Sequence, residues 1–300
     1  SSRAIMPPMS APRAGTTRFA ARGHHRLSYE IAGSGADDAP VVVLLHALLA
    51  GRSELTAQRD ALAAGYRVVL PEARGHGASA ALANQRYAVA DMAAEILAIL
   101  DAEGISRAHL VGHELGGAAA FELARAHPAR AQSLTLIEPA LPTLLDNAAG
   151  RVTLGARDEA RRADRAAADA AYKGLTDRSL DLYLDPRWGQ GWRDRLPRPR
   201  LSAIRRQAGA LAATLAALDA YTVEAAALAA MALPVLVVHG ADAPPIVRLT
   251  CERLAACVPH ARLDTVPSPA EGDAPLSGEA GVALNAALLA FLAGVNDASN

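Results

Sequence analysis

The chain has 300 residues, 51% hydrophobic and 20% charged, which suits one large α/β domain, or a core with a small insertion, and excludes a disordered chain. The formal net charge of -1 carries no footprint of a nucleic-acid or anionic-membrane partner. The two cysteines, Cys251 and Cys257, fall in one expected helix and imply a reduced, cytoplasmic setting rather than a disulfide framework. Residues 1–16 carry prolines and arginines without the apolar stretch of a secretory signal and read as a disordered leader. No apolar run approaches the roughly 20 residues that a membrane helix needs. Residues 17–31 then alternate as in a hairpin, with Gly23 at the turn and His24 and His25 solvated beside it. The continuous aliphatic run 40–45 is a buried central strand, ending in His46-Ala47-Leu48.

A helix is expected over 54–64 and a short strand over 66–71, followed by the loop Glu72-Ala73-Arg74-Gly75-His76-Gly77-Ala78-Ser79 with His76 facing solvent. Apolar spacing at Val89, Met92, Ala93, Ile96, Ile99 and Leu100 marks a helix over 87–103. A strand through His109-Leu110-Val111 enters Gly112-His113-Glu114-Leu115-Gly116-Gly117, and an alanine-rich helix leaves it. Another strand covers 133–137. Between 141 and 233 the pattern turns helical, notably over 156–172 and 199–219, with Tyr183, Trp188 and Trp192 clustered there. A strand (233–240), a helix (246–257), a strand (261–266), a loop (267–278) and a last helix (279–292) complete the chain. Strands alternating with helices at this rhythm imply a doubly wound, mostly parallel α/β sheet, which binds ligands at the carboxyl ends of its strands.

Several loops resemble those of the α/β-hydrolase family in the family's order. Gly112-x-Glu114-x-Gly116 resembles the nucleophile elbow, the His46-Ala47 turn resembles the oxyanion loop, and 72–79 resembles the D-x-R-G-x-G-x-S loop. The resemblance extends over residues 17–294. It implies a core of 17–139 and 233–294, a helical cap insertion over 140–232, and a tail from 295 to 300. It also implies an oxyanion hole from backbone N–H groups of Leu115 and of Ala47 or Leu48. Trp188 and Trp192 are candidates to line a ligand pocket under the cap.

A serine hydrolase of this family needs a nucleophile, an acid and a histidine in that order. The nucleophile position holds Glu114. The acid position falls on Ala243, with Asp242 one residue early as a weak candidate. The histidine position falls on Gly272, near Glu271 and Asp273, and no histidine follows His260. All three roles look vacant. His46 and His113 are structural by preference, and neither shows metal-ligand spacing; no cofactor is expected.

Glutamate at the apex admits several outcomes. The helix N-terminus behind it favours the carboxylate, whereas an apolar capped pocket favours the neutral acid. The first reading is an atypical, non-hydrolytic enzyme in which Glu114, with Asp242 or Asp273 as weaker partners, acts as acid or base on a small apolar carbonyl or epoxide compound. The second is an inactive relative that binds a small apolar organic ligand or a partner, its Glu114 folded back into its own oxyanion hole. The third is a hydrolase with an unrecognised triad built from Ser79 or Ser268 and Asp242.

Overall fold

The computed structural model describes residues 15–36, 38–79, 86–146, 151–269 and 276–299. Most of the expected leader, and the loop bearing Glu271, Gly272 and Asp273, therefore lie outside the described residues. The strands are β1 (Thr16–Arg22), β2 (His25–Gly33), β3 (Val41–Leu45), β4 (Arg67–Pro71), β5 (Ala108–His113), β6 (Ala131–Ile137), β7 (Val235–Gly240) and β8 (Arg262–Val266). They form one sheet in the order β1-β2-β4-β3-β5-β6-β7-β8. The β1–β2 and β2–β4 pairs are antiparallel and every other pair is parallel. The aliphatic runs of β3, β5 and β7 occupy the middle because helices cover both faces there.

The helices are α1 (Thr56–Leu62), α2 (Val89–Ala102), α3 (Leu115–Ala126), α4 (Arg151–Tyr172), α5 (Thr176–Trp188), α6 (Trp192–Arg195), α7 (Arg198–Gln207), α8 (Leu211–Ala220), α9 (Ala225–Ala229), α10 (Pro245–Cys257) and α11 (Gly278–Ser299). Leu62 of α1 and Leu284, Leu288 and Leu292 of α11 pack in one apolar cluster with Val42, Leu44 and Val111. Side chains of α2, α3 and α10 belong to the cluster on the other face. Helices α4 to α9 lie between β6 and β7 and make a helical cap. Tyr221 of the cap donates to Glu122 of α3 (2.6 Å), and Gln207 Nε2 donates to the Ala50 carbonyl (3.0 Å), so the cap is tied to the core by part-buried polar contacts.

Four expectations need correction. The helix expected over 199–219 is broken by a 3-10 turn at Ala208–Ala210, centred on Gly209, a residue of low helix propensity. The residues from 295 to 299 are not a tail but the last turn of α11, where Val295 is buried and Asn296 accepts from Gln132 Nε2 (3.1 Å). The 21 residues Gly278–Ala298 are long and apolar enough to cross a membrane, contrary to the reading of the apolar runs. Asn285 and the glycines Gly281 and Gly294 interrupt its apolar run, and Leu284, Leu288 and Leu292 form the stripe that packs on the sheet. Finally, His76 is fully buried, not solvent-facing. Its Nε2 accepts the Leu49 N–H (3.0 Å) and its Nδ1 faces the Arg74 carbonyl (3.0 Å), which assigns the proton to Nδ1. Burial pushes its pKa down to about 3.

Candidate functional site

The elbow depends on glycines where no side chain fits. A Cβ on Gly112 would stand 2.2 Å from the Gly116 carbonyl oxygen, and one on Gly116 would stand 2.3 Å from that of Leu45. Between them Glu114 takes φ 47° and ψ -106°, a conformation that costs a non-glycine residue about 1–3 kcal/mol. The strain puts the side chain at the carboxyl end of β5 and at the N-terminus of α3, where free N–H groups converge.

The carboxylate uses them. Glu114 Oε2 accepts the N–H of Leu115 (2.7 Å) and of Leu48 (2.8 Å), and Oε1 accepts the Tyr183 hydroxyl (2.9 Å). Ala47, the other expected donor, is not one: its N–H goes to Glu54 Oε2 (3.0 Å). Three successive amides of this loop thus have three different acceptors, Glu54 for Ala47, Glu114 for Leu48 and His76 for Leu49. Glu54 claims Ala47 because it is buried and needs donors. His46 completes the scaffold, its Nε2 accepting the Ala73 N–H (3.0 Å) and its Nδ1 facing the Ala47 carbonyl (2.8 Å); burial lowers its pKa.

Beneath the elbow, His113 Nδ1 lies 3.2 Å from Glu54 Oε2 in a buried ion pair. Burial opposes protonation of His113, but the Glu54 charge outweighs it and raises the pKa to about 9. Glu54 is likewise opposed by burial and held below the usual carboxylate range by His113. Above the elbow, the Arg187 guanidinium stacks 3.9 Å over the Tyr183 ring and pairs with Asp164 (2.9 Å). Burial, then the Glu114 charge, pushes the Tyr183 hydroxyl well up, so it remains a donor.

Two cavities between core and cap reach Glu114. One, of about 270 Å³, runs under α4 and α8 past Leu141, Leu215, Leu218 and Ile246. The other, of about 380 Å³, is lined by Leu48, Tyr183, Trp188, His239, Asp242 and Ser268 among others. Glu138, Arg187 and Val247 line both, as Glu114 does. Trp188 therefore sits in the cleft, whereas Trp192 is buried among cap side chains and packs edge-on against it at 6.0 Å. Trp192 follows the turn Gly189–Gly191, which points its large apolar ring into the cap interior.

The remaining candidates are dispersed. Asp242 is exposed at the rim, and its N–H donates to Ser268 Oγ (2.8 Å). Ser79 is buried, giving its hydroxyl to the Glu72 carbonyl (2.7 Å) and accepting the Ser28 N–H (2.8 Å), which makes it a tie between β2 and its neighbouring loop rather than a nucleophile. Asp273 lies outside the described residues. No group of three or more His, Cys, Asp or Glu among the described residues is arranged to hold a metal ion.

Sequence reasoning missed Glu54, Glu138 and Arg187. Glu138 carried the one available signal, a carboxylate at the end of a central strand of an open α/β sheet. It also has positive φ (45°), and its Oε1 accepts the Gly240 N–H (2.8 Å).

A family model described as the alpha/beta hydrolase fold matches residues 40–271. The chain belongs to the α/β-hydrolase fold family. A hydrolase from Pseudomonas aeruginosa PA01 superposes with a TM-score of 0.74 at 26% identity, covering 93% of this chain and 99% of that one. The enol-lactonase from Burkholderia xenovorans LB400 superposes with a TM-score of 0.71 at 21% identity, covering 92% and 100%, and shows the fold alone. In sequence, the chain is 42% identical over 113 residues to "Putative carbamate hydrolase RutD" of Variovorax paradoxus, a stretch covering 37% of this chain and 41% of that protein. The aligned stretch thus spans about two-fifths of the length of that curated relative. Within the family this chain has an altered catalytic centre, with glutamate on the elbow in place of serine.

Proposed function

We propose that this chain binds a small organic molecule in the cleft between core and cap without hydrolysing it, Glu114 serving as a fixed hydrogen-bond acceptor on the cleft floor. The observation that carries this reading is the placement of Glu114 Oε2 on the N–H groups of both Leu48 and Leu115. Those are the donors that an acyl-transfer oxyanion would need, and a carboxylate in their grip leaves none for a tetrahedral intermediate. Hydrolysis would further require a base beside a nucleophile, and no imidazole of the described residues hydrogen-bonds Glu114. The volumes of the two cavities favour a ligand of small-molecule size.

A second reading, acid–base catalysis on a carbonyl or epoxide compound, draws on one contact. The Tyr183 hydroxyl on Glu114 Oε1 sets a proton donor beside a carboxylate at a cavity wall. Incubation with a panel of apolar esters, carbamates, lactones and epoxides, followed by calorimetry and by mass spectrometry of the recovered compound, separates the two. Saturable binding with the compound recovered intact is the expected result. Conversion that disappears in Glu114→Gln would install the second reading instead. Covalent labelling by a fluorophosphonate would overturn both, since it demands an activated serine.

A further inference from the structure

The two cavities meet along Glu114, Glu138, Arg187 and Val247, and the charge at that junction is unbalanced. Arg187 is engaged by Asp164 at 2.9 Å and donates to the Tyr183 carbonyl at 2.9 Å. His113 is engaged by Glu54 at 3.2 Å, and its charge also acts on Glu138 and Glu114. Glu114 takes neutral donors only, from two amides and one phenol. Glu138 takes the Gly240 N–H on one oxygen, and none of the ion pairs among the described residues includes it. Elsewhere on the wall of the smaller cavity, Arg161 and Arg165 are paired with Asp219, and Arg161 also with Asp146, so neither stands free to recruit an anion.

The carboxyl groups of Glu54, Asp164, Glu114 and Glu138 thus outnumber the cations His113 and Arg187 at this junction, a surplus that is costly in a low-dielectric cleft and that a bound cation relieves. We infer that the cleft selects an organic amine, its ammonium group held at Glu138 beside Glu114 and its apolar body lodged in the cavity under α4 and α8. An ammonium offers three donors and no acceptor, matching a wall that presents carboxylate oxygens. The walls contributed by Leu141, Leu215, Leu218 and Ile246 suit a hydrocarbon body. An apolar cavity of about 150 Å³ holds benzene; the 270 Å³ here suits a larger body, such as a phenylalkyl chain. This inference rests on the binding reading above and adds the ligand class to it.

Calorimetric titration with phenylbutylamine, phenylbutanol and phenylbutanoate near neutral pH tests it, because the three share one apolar body and differ in the charge of the head. The amine should bind about tenfold tighter than the alcohol or better, and the carboxylate weakest. Glu138→Gln keeps an acceptor for the Gly240 N–H and should erase the amine preference while alcohol affinity persists. The amine–alcohol comparison in the unaltered protein decides the matter even if that variant folds poorly. Equal affinities, a carboxylate preference, or an amine preference that survives Glu138→Gln would overturn the inference and leave the binding reading standing. If none of the three binds, the inference falls, and the panel of esters, carbamates, lactones and epoxides decides the binding reading separately.

Discussion

At the scale of single residues, the buried Glu54–His113 pair makes stability depend on pH in a direction that can be worked out. The folded-state pKa of His113, about 9, lies above its ordinary 6.5. Its contribution is therefore complete below pH 6.5 and is lost as pH rises through about 9. Glu54 is depressed below its ordinary 4.5, so its contribution is complete above 4.5 and is lost as pH falls through the depressed value. His76, lowered to about 3, adds stability that is complete above 6.5 and fades as pH falls toward 3. Thermal melts from pH 4 to 10 should show the wild type weakening between pH 6.5 and 9, and Glu54→Gln should abolish that alkaline slope. Removing one member of a buried pair also costs about 3–5 kcal/mol near pH 6.5. An unchanged alkaline slope in the variant would mean that the pair is not the titrating unit. None of this was legible in the sequence: Glu54 reads as an ordinary residue at a helix start, and only the fold brings it under His113.

At the scale of elements, the elbow is the piece whose sequence dictates its shape. Glycines two before and two after the apex are readable from the chain, and the structure supplies the reason, carbonyl oxygens little more than 2 Å from where each Cβ would stand. Gly112→Ala should therefore destabilise by about 3 kcal/mol or more, because the obstruction is backbone and cannot rotate away. Denaturant unfolding measures this, and a loss under 1 kcal/mol would show that β5 and α3 can separate. Boundaries were less legible than elements. The interruption at Ala208–Ala210 leaves the apolar period intact, so periodicity saw one helix where the backbone makes two and a 3-10 turn. In α11 the helix runs through Gly294 and Asn296 to Ser299 and buries Val295, past the expected end at 292, because contacts such as that of Asn296 with Gln132 hold its last turn.

At the scale of the whole molecule, two layers of helices close over one sheet, and α11 shows how the closure is held. Leu288 is fully buried in the cluster that includes Val42, Leu44 and Val111. Leu288→Ala should cost about 2–5 kcal/mol in equilibrium unfolding. A cost near zero would mean that α11 packs loosely enough to leave the sheet. The sequence by itself determined the family, the strand–helix alternation and the presence of glutamate at the elbow, since these follow from hydrophobic period and from glycines that backbone sterics demand locally. Only the tertiary structure decided which loop amide meets Glu114, that Tyr183 reaches it from the cap, and that Glu138 shares its cleft. Those contacts join residues 24 to 69 positions apart in the chain, and no local pattern encodes them. They exist because sheet register and cap packing bring the ends of separate strands and helices to one place, where burial obliges each polar group to find a partner.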